Sequence, residues 1–290
     1  MIDYIDKIQG AIDFVEAKLK EDVRLNDVAF EAGFSSFHFH RIFLANVGET
    51  VTEYVRKRRL SEAARELMET NRRILDIAVD YQFESQQAFT RAFKKMFFMS
   101  PGQCRREKPA ICLFLKRCLD REGLKFMRGE KIEVESKILE LGEVKAIGLR
   151  CYGDVRENGL KQEIKQLWEK FNKVASSVKN ISKPGVALGI CSMIEGEEPY
   201  IMEYVCSMKV DDFSDVPRGM VIRKLSPQKY AVFTHKGKLD KVGQTYDYIY
   251  QTWLPQSGCE LIDAPDFELY DDRFAPDKDE SEFDIYISIK

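Results

Sequence analysis

The first hundred residues carry apolar side chains at helical spacing. A first amphipathic helix is predicted between residues 3 and 20. Its inward positions are Ile5, Ile8, Ile12, Val15 and Leu19. A short helix is then predicted from Leu25 and ends at Gly33, and Ser35 is a suitable cap for the helix that follows to Asn46.

The segment Leu25–Ser35 has a counterpart fifty residues further along, Leu75–Ser85, and the helix after each segment is repeated too. Under this offset Arg41 matches Arg91. A long helix, predicted for Val51–Glu69, separates the two copies. The repeat predicts an all-α N-terminal domain with two helix-turn-helix units.

Beyond residue 130 the hydrophobic period changes from helical to alternating. Two successive strand-strand-helix-strand-strand units are predicted. Their strands are 131–139, 144–152, 186–192 and 200–210, then 220–225, 230–235, 266–270 and 283–289. Helices are predicted at Glu157–Val174 and Leu239–Leu254. This order indicates an α+β C-terminal domain in which one antiparallel sheet carries two helices.

These patterns predict a multidomain chain. We expect a DNA-binding domain at 1–108, a linker at 109–129 and a second domain at 130–290. The apolar segment Ile111–Leu115 within the linker has no structure assigned to it by its pattern.

Charge is unevenly distributed along the chain. The net charge is −3 and the pI about 5.9, which argues against binding to DNA by bulk charge. However, Lys and Arg cluster between residues 49 and 108, as in Arg56–Arg59, whereas acidic residues collect near the C-terminus. A basic patch on a mildly acidic protein is therefore predicted.

Composition disfavours several classes of protein. No apolar run reaches the ~18 residues of a membrane span, and Met1 leads into Asp3 and Asp6 rather than a secretion signal. The seven cysteines are dispersed, as expected in a reducing cytoplasm. With three histidines and no CxxC pair, we predict no metal site and no cofactor.

The second helix of each unit carries side chains suited to reading DNA. That helix enters the major groove, where Arg pairs with guanine and Gln with adenine. Positions i, i+1, i+4 and i+5 share one strip of a helix, which we expect to be exposed. The predicted DNA-contacting residues are Ser36, Phe37, His40 and Arg41 in the first unit and Gln86, Gln87, Thr90, Arg91, Lys94 and Lys95 in the second. Arg58 is a further expected phosphate contact.

The length of the intervening helix fits this hypothesis. About 19 residues span roughly 28 Å at ~1.5 Å per residue, and successive major grooves on one DNA face lie about 34 Å apart. A helix of that length could hold two recognition helices in neighbouring major grooves. The alternative is that Arg41 and Arg91 are surface residues paired with nearby acids in an ordinary helical domain.

Residues 5–107 resemble the AraC/XylS family of transcription regulators. The matching stretches are Asp27–Ala29 with Gly33–Ser35, Phe39–Phe43, Arg58–Leu60 with Ala63, Ile74–Ala78, Phe83–Lys95 and Ser100–Pro101. The resemblance implies a bipartite DNA site and transcription activation, with RNA polymerase as a partner. Two departures are Phe37 in place of a common Trp and Gln82 in place of the usual Gly. If that turn needs a positive φ, Gln82 costs around 1 kcal/mol.

The remainder, residues 130–290, resembles GyrI-like effector-binding domains, which are related to SOUL domains and associated with multidrug sensing. The resemblance rests on the duplicated order, on Thr252–Pro255 and on Phe267–Tyr270. An AraC domain joined to this module is the arrangement of Rob-type regulators. The resemblance implies a small-molecule pocket and an acidic residue at Glu268.

A carboxylate among aromatic rings is suited to a lipophilic cation, because ring faces attract cations by ~0.5–2 kcal/mol. Glu268 and Tyr270 project from one face of a predicted strand. The predicted effector-binding residues are Glu268, Tyr270, Trp168, Tyr152, Tyr204 and Trp253. Trp168 also has the helical spacing of a core residue, so both interpretations stay open for it.

The favoured hypothesis is a cytoplasmic, ligand-responsive transcription activator that binds double-stranded DNA and a small, lipophilic or cationic effector. Two alternatives concern the second domain. Glu268 and Tyr270 could hydrolyse a small molecule by acid–base chemistry, or the domain could hold a protein partner. Because the sequence has no Ser-His-Asp order, metal cluster or phosphate-binding loop, we predict no enzyme activity and no catalytic residue.

Overall fold

A computed structural model describes residues 4–119, 134–154, 160–194 and 201–290. They form two compact units. A helical unit contains the described residues up to Gly33 and from Val47 to residue 119. A sheet unit contains Phe34–Asn46 and the described residues from 134 onward. The division cuts through the first predicted helix-turn-helix pair, because Phe34–Asn46 packs with the C-terminal residues.

The helices follow the predicted order closely. They are α1 (Tyr4–Ala17), α2 (Leu25–Ala32), α3 (Ser36–Val47), α4 (Val51–Glu69), α5 (Ile74–Asp80), α6 (Gln86–Phe97) and α7 (Pro101–Glu107). Local sequence explains their ends. The Thr50 side chain and Glu53 form a capping box at the start of α4, and Ser100 does the same with Gln103 at α7.

The turns between paired helices require left-handed backbone in both copies. Gly33 has φ 71° and Gln82 has φ 62°. The condition stated for Gln82 is met, because its φ is positive, and the cost of about 1 kcal/mol applies there. The Gln82 side-chain amide donates to the Lys20 carbonyl over 2.7 Å, which ties this turn to the end of the first helix.

The apolar segment that the sequence left unassigned packs within the helical unit. Ile111 and Leu113 lie against a buried cluster formed mainly by α4 and α6. Phe114 packs edge-on against Tyr54, with ring centroids 5.6 Å apart, and its backbone N–H donates to Ser61 Oγ. Residues 111–114 therefore act as a strap across α4 rather than as a free linker.

Arg58 lies beneath this strap. Its guanidinium donates to both carboxylate oxygens of Glu16, at 2.7 and 2.8 Å, and to Glu62 at 2.8 Å. It also donates to the Phe114 carbonyl. The prediction that Arg58 binds a DNA phosphate is wrong, because the α4 face that carries it turns inward and its charge is already neutralised.

The sheet unit has eight antiparallel strands in the order β1-β6-β8-β7-β3-β4-β2-β5. They are β1 (Ser136–Leu141), β2 (Val144–Asp154), β3 (Ala187–Met193), β4 (Ile201–Val210), β5 (Val221–Leu225), β6 (Gln228–Lys236), β7 (Asp266–Tyr270) and β8 (Glu282–Ile289). The two halves meet where β3 pairs with β7. The first strand of each half pairs with the second strand of the other, which joins the duplicated units in one sheet.

The helices of this unit follow the second strand of each half. They are α8 (Leu160–Val174), α9 (Val242–Tyr248) and the short α10 (Leu254–Ser257), with a π-helical turn at Ile249–Trp253 between the last two. The predicted α+β class and the duplicated order are confirmed. The predicted helix start at Glu157 and strand start at Lys131 lie outside the described residues.

The two faces of the sheet hold different apolar clusters. Leu167 and Phe171 of α8 pack over Tyr204 and Cys206 on one face. Tyr230, Phe267 and Tyr286 pack on the other. Alternation along β7 puts Glu268 on the α8 face, because Phe267 belongs to the opposite cluster. No described helix is long and apolar enough to cross a membrane.

The buried Arg58–Glu16 pair predicts a large stability effect. Replacing Arg58 by Met strands a carboxylate in a half-buried position, and we expect the free energy of unfolding to fall by about 3 kcal/mol. Urea unfolding followed by circular dichroism measures it. The matched control is Arg73→Met, whose pair with Asp76 is exposed and should matter little. Equal effects of the two substitutions would contradict the role assigned to Arg58.

Candidate functional site

Helix α6 presents the polar strip that the sequence predicted. Ser85 caps the helix by accepting from the Ala88 N–H at 3.1 Å, so the helix begins at Gln86. Its apolar side, Phe89, Phe93 and Phe97, is buried in the helical unit. The residues left exposed are Gln86, Gln87, Arg91, Lys94 and Lys95. A donor-rich, basic surface therefore runs along the outer side of α6.

Two details bear on how this surface could act. Thr90 is half-buried and its hydroxyl donates to the Gln86 carbonyl at 2.7 Å, which occupies the hydroxyl hydrogen within the helix. Arg91 is exposed and, in the part of the chain that the structure describes, no carboxylate is recorded within ion-pairing distance of it. The alternative that Arg91 pairs with a nearby acid therefore has no support.

Helix α3 is placed differently. Phe37 and His40 are buried, with exposed fractions of 5% and 9%, and Ser36 and Arg41 are half-buried. The expectation of an exposed strip is wrong for Phe37 and His40 in this structure. The reason is tertiary, since α3 packs into the sheet unit through the same side that was expected to read DNA.

Three contacts hold α3 in the sheet unit. The Arg41 guanidinium lies 4.2 Å from the centroid of the Tyr246 ring and 4.7 Å from that of Phe37. His38 Nε2 lies 3.4 Å from Asp266 Oδ2, and both atoms are buried. The Gln251 side chain donates to the Ala45 carbonyl. Together they join α3 to β7, to α9 and to the π-helical turn.

Glu268 is the acceptor at the centre of a network of phenols. Tyr204 and Tyr270 donate to its Oε2 at 3.1 and 2.8 Å, and Tyr246 donates to its Oε1 at 2.9 Å. Trp168 Nε1 in turn donates to the Tyr204 hydroxyl at 3.1 Å. Burial, with the nearby Glu268 charge adding to it, raises the pKa of all three phenols well above 10. They therefore remain protonated donors across the physiological pH range.

The absence of a side chain at Gly189 leaves space for this network. Gly189 of β3 lies directly opposite Glu268 of β7 in the sheet. A Cβ at that position would lie 2.1 Å from the Tyr204 hydroxyl and 3.1 Å from Glu268 Oε2. Any larger residue would force Tyr204 away from the carboxylate, so this strand glycine belongs to the site.

The structure brings most, but not all, of the predicted effector residues together. Trp168, Tyr204 and Tyr270 lie with Glu268, and the Trp168 and Tyr270 rings meet edge-on at 5.4 Å. Trp168 also packs on Phe171, so it belongs to the core and to the site at once.

Tyr152 and Trp253 have other surroundings. Tyr152 is 45% exposed with Arg150 above its ring, and Trp253 packs against Phe233 at 4.8 Å. Among the described residues neither is recorded in a hydrogen bond to Glu268. Tyr152 alternates with the β2 residues that face α8, and the helical period of Trp253 does not determine which side chains its ring meets.

Sequence reasoning missed Gly189 and Tyr246. A glycine within a strand is a signal for close approach of another group, so Gly189 could have been found. Tyr246 gave no comparable signal, because it is one of several tyrosines in a predicted helix. The assembled site is a charged acceptor in an aromatic setting, which can bind a cation with apolar substituents.

Comparison with known families and proteins agrees with both parts of the chain. Residues 135–290 match the family described as a GyrI-like small molecule binding domain, and residues 28–107 match a helix-turn-helix domain. The right origin-binding protein of Escherichia coli (strain K12) is 29% identical over 272 residues, which cover 91% of this chain and 89% of that protein.

Two further relatives match shorter stretches of the chain. The HTH-type transcriptional regulator YbfP of Bacillus subtilis (strain 168) is 44% identical over 124 residues, or 43% of this chain and 40% of that protein. The HTH-type transcriptional activator AarP of Providencia stuartii is 42% identical over 89 residues, or 31% of this chain and 66% of that protein. The chain thus spans less than half of YbfP.

These relatives are named as DNA-binding or regulatory proteins. The family match covers more than half of the chain. The chain therefore belongs to the GyrI-like family, as a transcription regulator that joins an AraC-type helix-turn-helix domain to a small-molecule-binding domain.

Proposed function

We propose that this protein is a transcription activator whose DNA binding responds to a lipophilic cation bound at Glu268. The observation that carries the proposal is the Glu268 carboxylate, held by three phenols and bordered by Trp168. An ion pair in such a site is stabilised by low local polarity, and aromatic faces add attraction for the cation. Neutral or anionic ligands gain neither the ion pair with Glu268 nor the cation–π attraction.

The phenols orient the carboxylate without neutralising it. Each donates one hydrogen bond, and a carboxylate has about four acceptor positions. Capacity therefore remains for a cation. Tyr204 and Tyr270 hold one oxygen, while Tyr246 alone holds the other. A ligand that approaches Oε1 has only Tyr246 to move.

On the DNA side, α6 is the reader that the structure supports most directly. Gln86, Gln87 and Arg91 carry the donor and acceptor types that base edges require, and Lys94 and Lys95 suit phosphates. The α3 positions Ser36, Phe37, His40 and Arg41 act in the same way once their side of the helix is free. Activation is supported by the similarity to AarP, a protein named as a transcriptional activator, and RNA polymerase is the partner we propose for it.

The assignment of α6 predicts two distinct effects of substitution. A duplex for this test is selected from a random-sequence library with the full chain. Arg91→Ala should weaken binding to the selected duplex by about 1–3 kcal/mol and relax the preference for one base pair. Lys95→Ala should weaken binding equally on all sequences and reduce the salt dependence by about one phosphate contact.

Fluorescence anisotropy in rising salt separates these effects, with Arg218→Ala of the sheet unit as the control. An Arg91→Ala protein that keeps full affinity and selectivity would rule out α6 as the reader.

The Glu268 site predicts a charge-dependent affinity. Tetraphenylphosphonium is an aromatic lipophilic cation of the proposed class, and its binding should weaken at least about tenfold, or 1.4 kcal/mol, in Glu268→Gln. The neutral triphenylphosphine oxide, of similar shape, should bind both proteins equally. Isothermal titration calorimetry measures both ligands. If Glu268→Gln left tetraphenylphosphonium affinity unchanged, the cation site would have to be abandoned.

The close approach at Gly189 predicts loss of the same site by crowding. Gly189→Ala should displace Tyr204, cost about 1–3 kcal/mol of stability, and weaken tetraphenylphosphonium binding. Gly243→Ala is the matched control, because nothing lies within 4 Å of a Cβ there and its φ is not positive. Calorimetry and thermal unfolding report the two effects. Normal ligand binding by a folded Gly189→Ala protein would show that Tyr204 is dispensable.

A further inference from the structure

Helix α3 lies on the same side of the sheet as the Glu268 network. Phe37 is part of the buried cluster that includes Leu167, Phe171 and Tyr204. His38 meets Asp266, which precedes Glu268 by two positions and so points to the same face of β7. The first predicted recognition helix is therefore packed against the elements that build the effector site.

The Tyr246 side chain contacts both the Glu268 carboxylate and Arg41 of α3. The hydroxyl of Tyr246 donates to Glu268 Oε1 at 2.9 Å, while the ring of the same residue lies 4.2 Å from the Arg41 guanidinium. Any movement of Tyr246 that breaks one contact changes the other. Tyr246 thus connects the effector carboxylate to a side chain expected to read DNA.

The surroundings of Arg41 are of the kind that we propose for the bound effector. Its guanidinium is a delocalised cation, and it lies against the two aromatic rings of Phe37 and Tyr246. Both features are those of a lipophilic cation in an aromatic site. The protein therefore supplies a cation of its own to the edge of the Glu268 network.

We propose that Arg41 and the effector cation compete for Tyr246, so that α3 is an internal occupant which the effector displaces to free a DNA-reading helix. This deepens the proposed function and rests on it. With α3 docked, Phe37 and His40 are buried and cannot meet a major groove. With the effector at Glu268, Tyr246 moves and its ring no longer contacts the Arg41 guanidinium. The population of the form in which α3 is exposed then increases.

The two binding events are coupled in both directions. A ligand that binds only the released form raises DNA affinity, and DNA raises effector affinity by the same factor. Only molecules with α3 released bind the effector. The apparent affinity for the effector is therefore the affinity of the released form multiplied by the fraction of molecules in that form. Weakening the docking contacts must therefore strengthen effector binding, which is the reverse of what a structural defect would do.

The first test removes the internal cation. Arg41→Gln keeps a long polar side chain on α3 but removes its charge, and we expect tetraphenylphosphonium to bind the full chain about tenfold more tightly. Arg91→Gln is the matched control, because it makes the same change at the equivalent position of exposed α6 and should leave the affinity unchanged. Calorimetry measures both. Unchanged or weaker binding in Arg41→Gln overturns the proposal.

The second test loosens α3 without altering Arg41, Tyr246 or Glu268. Asp266→Asn retains the acceptor for the Ser288 N–H but removes the charge that faces His38. His38→Ala removes the other partner and serves if Asp266→Asn folds poorly. Either variant should show faster amide hydrogen exchange across 36–46, and should bind the selected duplex several-fold more tightly without effector. Asp263→Asn, an exposed change nearby, should do neither.

The outcomes separate this proposal from the function on which it rests. If tetraphenylphosphonium binding is insensitive to Glu268→Gln, the effector site itself is wrong. If binding depends on Glu268 but is unchanged in Arg41→Gln, or if tetraphenylphosphonium leaves exchange across 36–46 of the wild type unaltered, the internal competition is wrong and the effector site stands. Faster exchange in wild type on adding tetraphenylphosphonium, together with tighter binding by Arg41→Gln, supports the proposal.

Discussion

The arrangement of the sheet unit depends on one half-buried carboxylate that accepts three hydrogen bonds from the protein. Glu268 takes donors from three elements, since Tyr204 lies on β4, Tyr270 on β7 and Tyr246 on α9. Leaving this acceptor without partners would cost free energy, so the hydrogen bonds hold these elements in register around it. Because β4 and β7 belong to different halves of the duplicated fold, the carboxylate also fixes how the halves meet.

The two carboxylate oxygens of Glu268 have different hydrogen-bond partners, so the site is asymmetric. Oε2 is held by two residues of paired strands: Tyr204 has a strand partner on both sides, and Tyr270 pairs with Ala187 of β3. Oε1 is held by Tyr246, which lies on a short helix followed by a π-helical turn. Such turns are irregular and often found at functional sites. The element that touches both Glu268 and Arg41 is therefore a short helix with an irregular continuation, whereas the other two are paired strands.

Periodicity predicted the elements well because each residue's face within an element is a local property. The two helical repeats, the duplicated α+β order and the left-handed turn at Gln82 all follow from local patterns. Which partner a face meets is not local. Local patterns therefore predicted Arg58 as a phosphate contact, although Glu16 neutralises its charge. They did not identify Tyr246 and Gly189 as residues of the Glu268 site.

Arg41 and Arg91 show this limit most clearly, and the difference between them carries functional meaning. They match under the fifty-residue repeat and lie at the same position, in the middle, of two helices of equal length. One is exposed on α6, while the other lies against two aromatic rings of the sheet unit. The helices share this Arg and two Phe positions, but α3 carries Phe37 and His38 where α6 carries Gln87 and Ala88, and these two residues contact the sheet unit. Under the proposed competition for Tyr246, α6 stays available to DNA, whereas the availability of α3 depends on what binds beside Glu268.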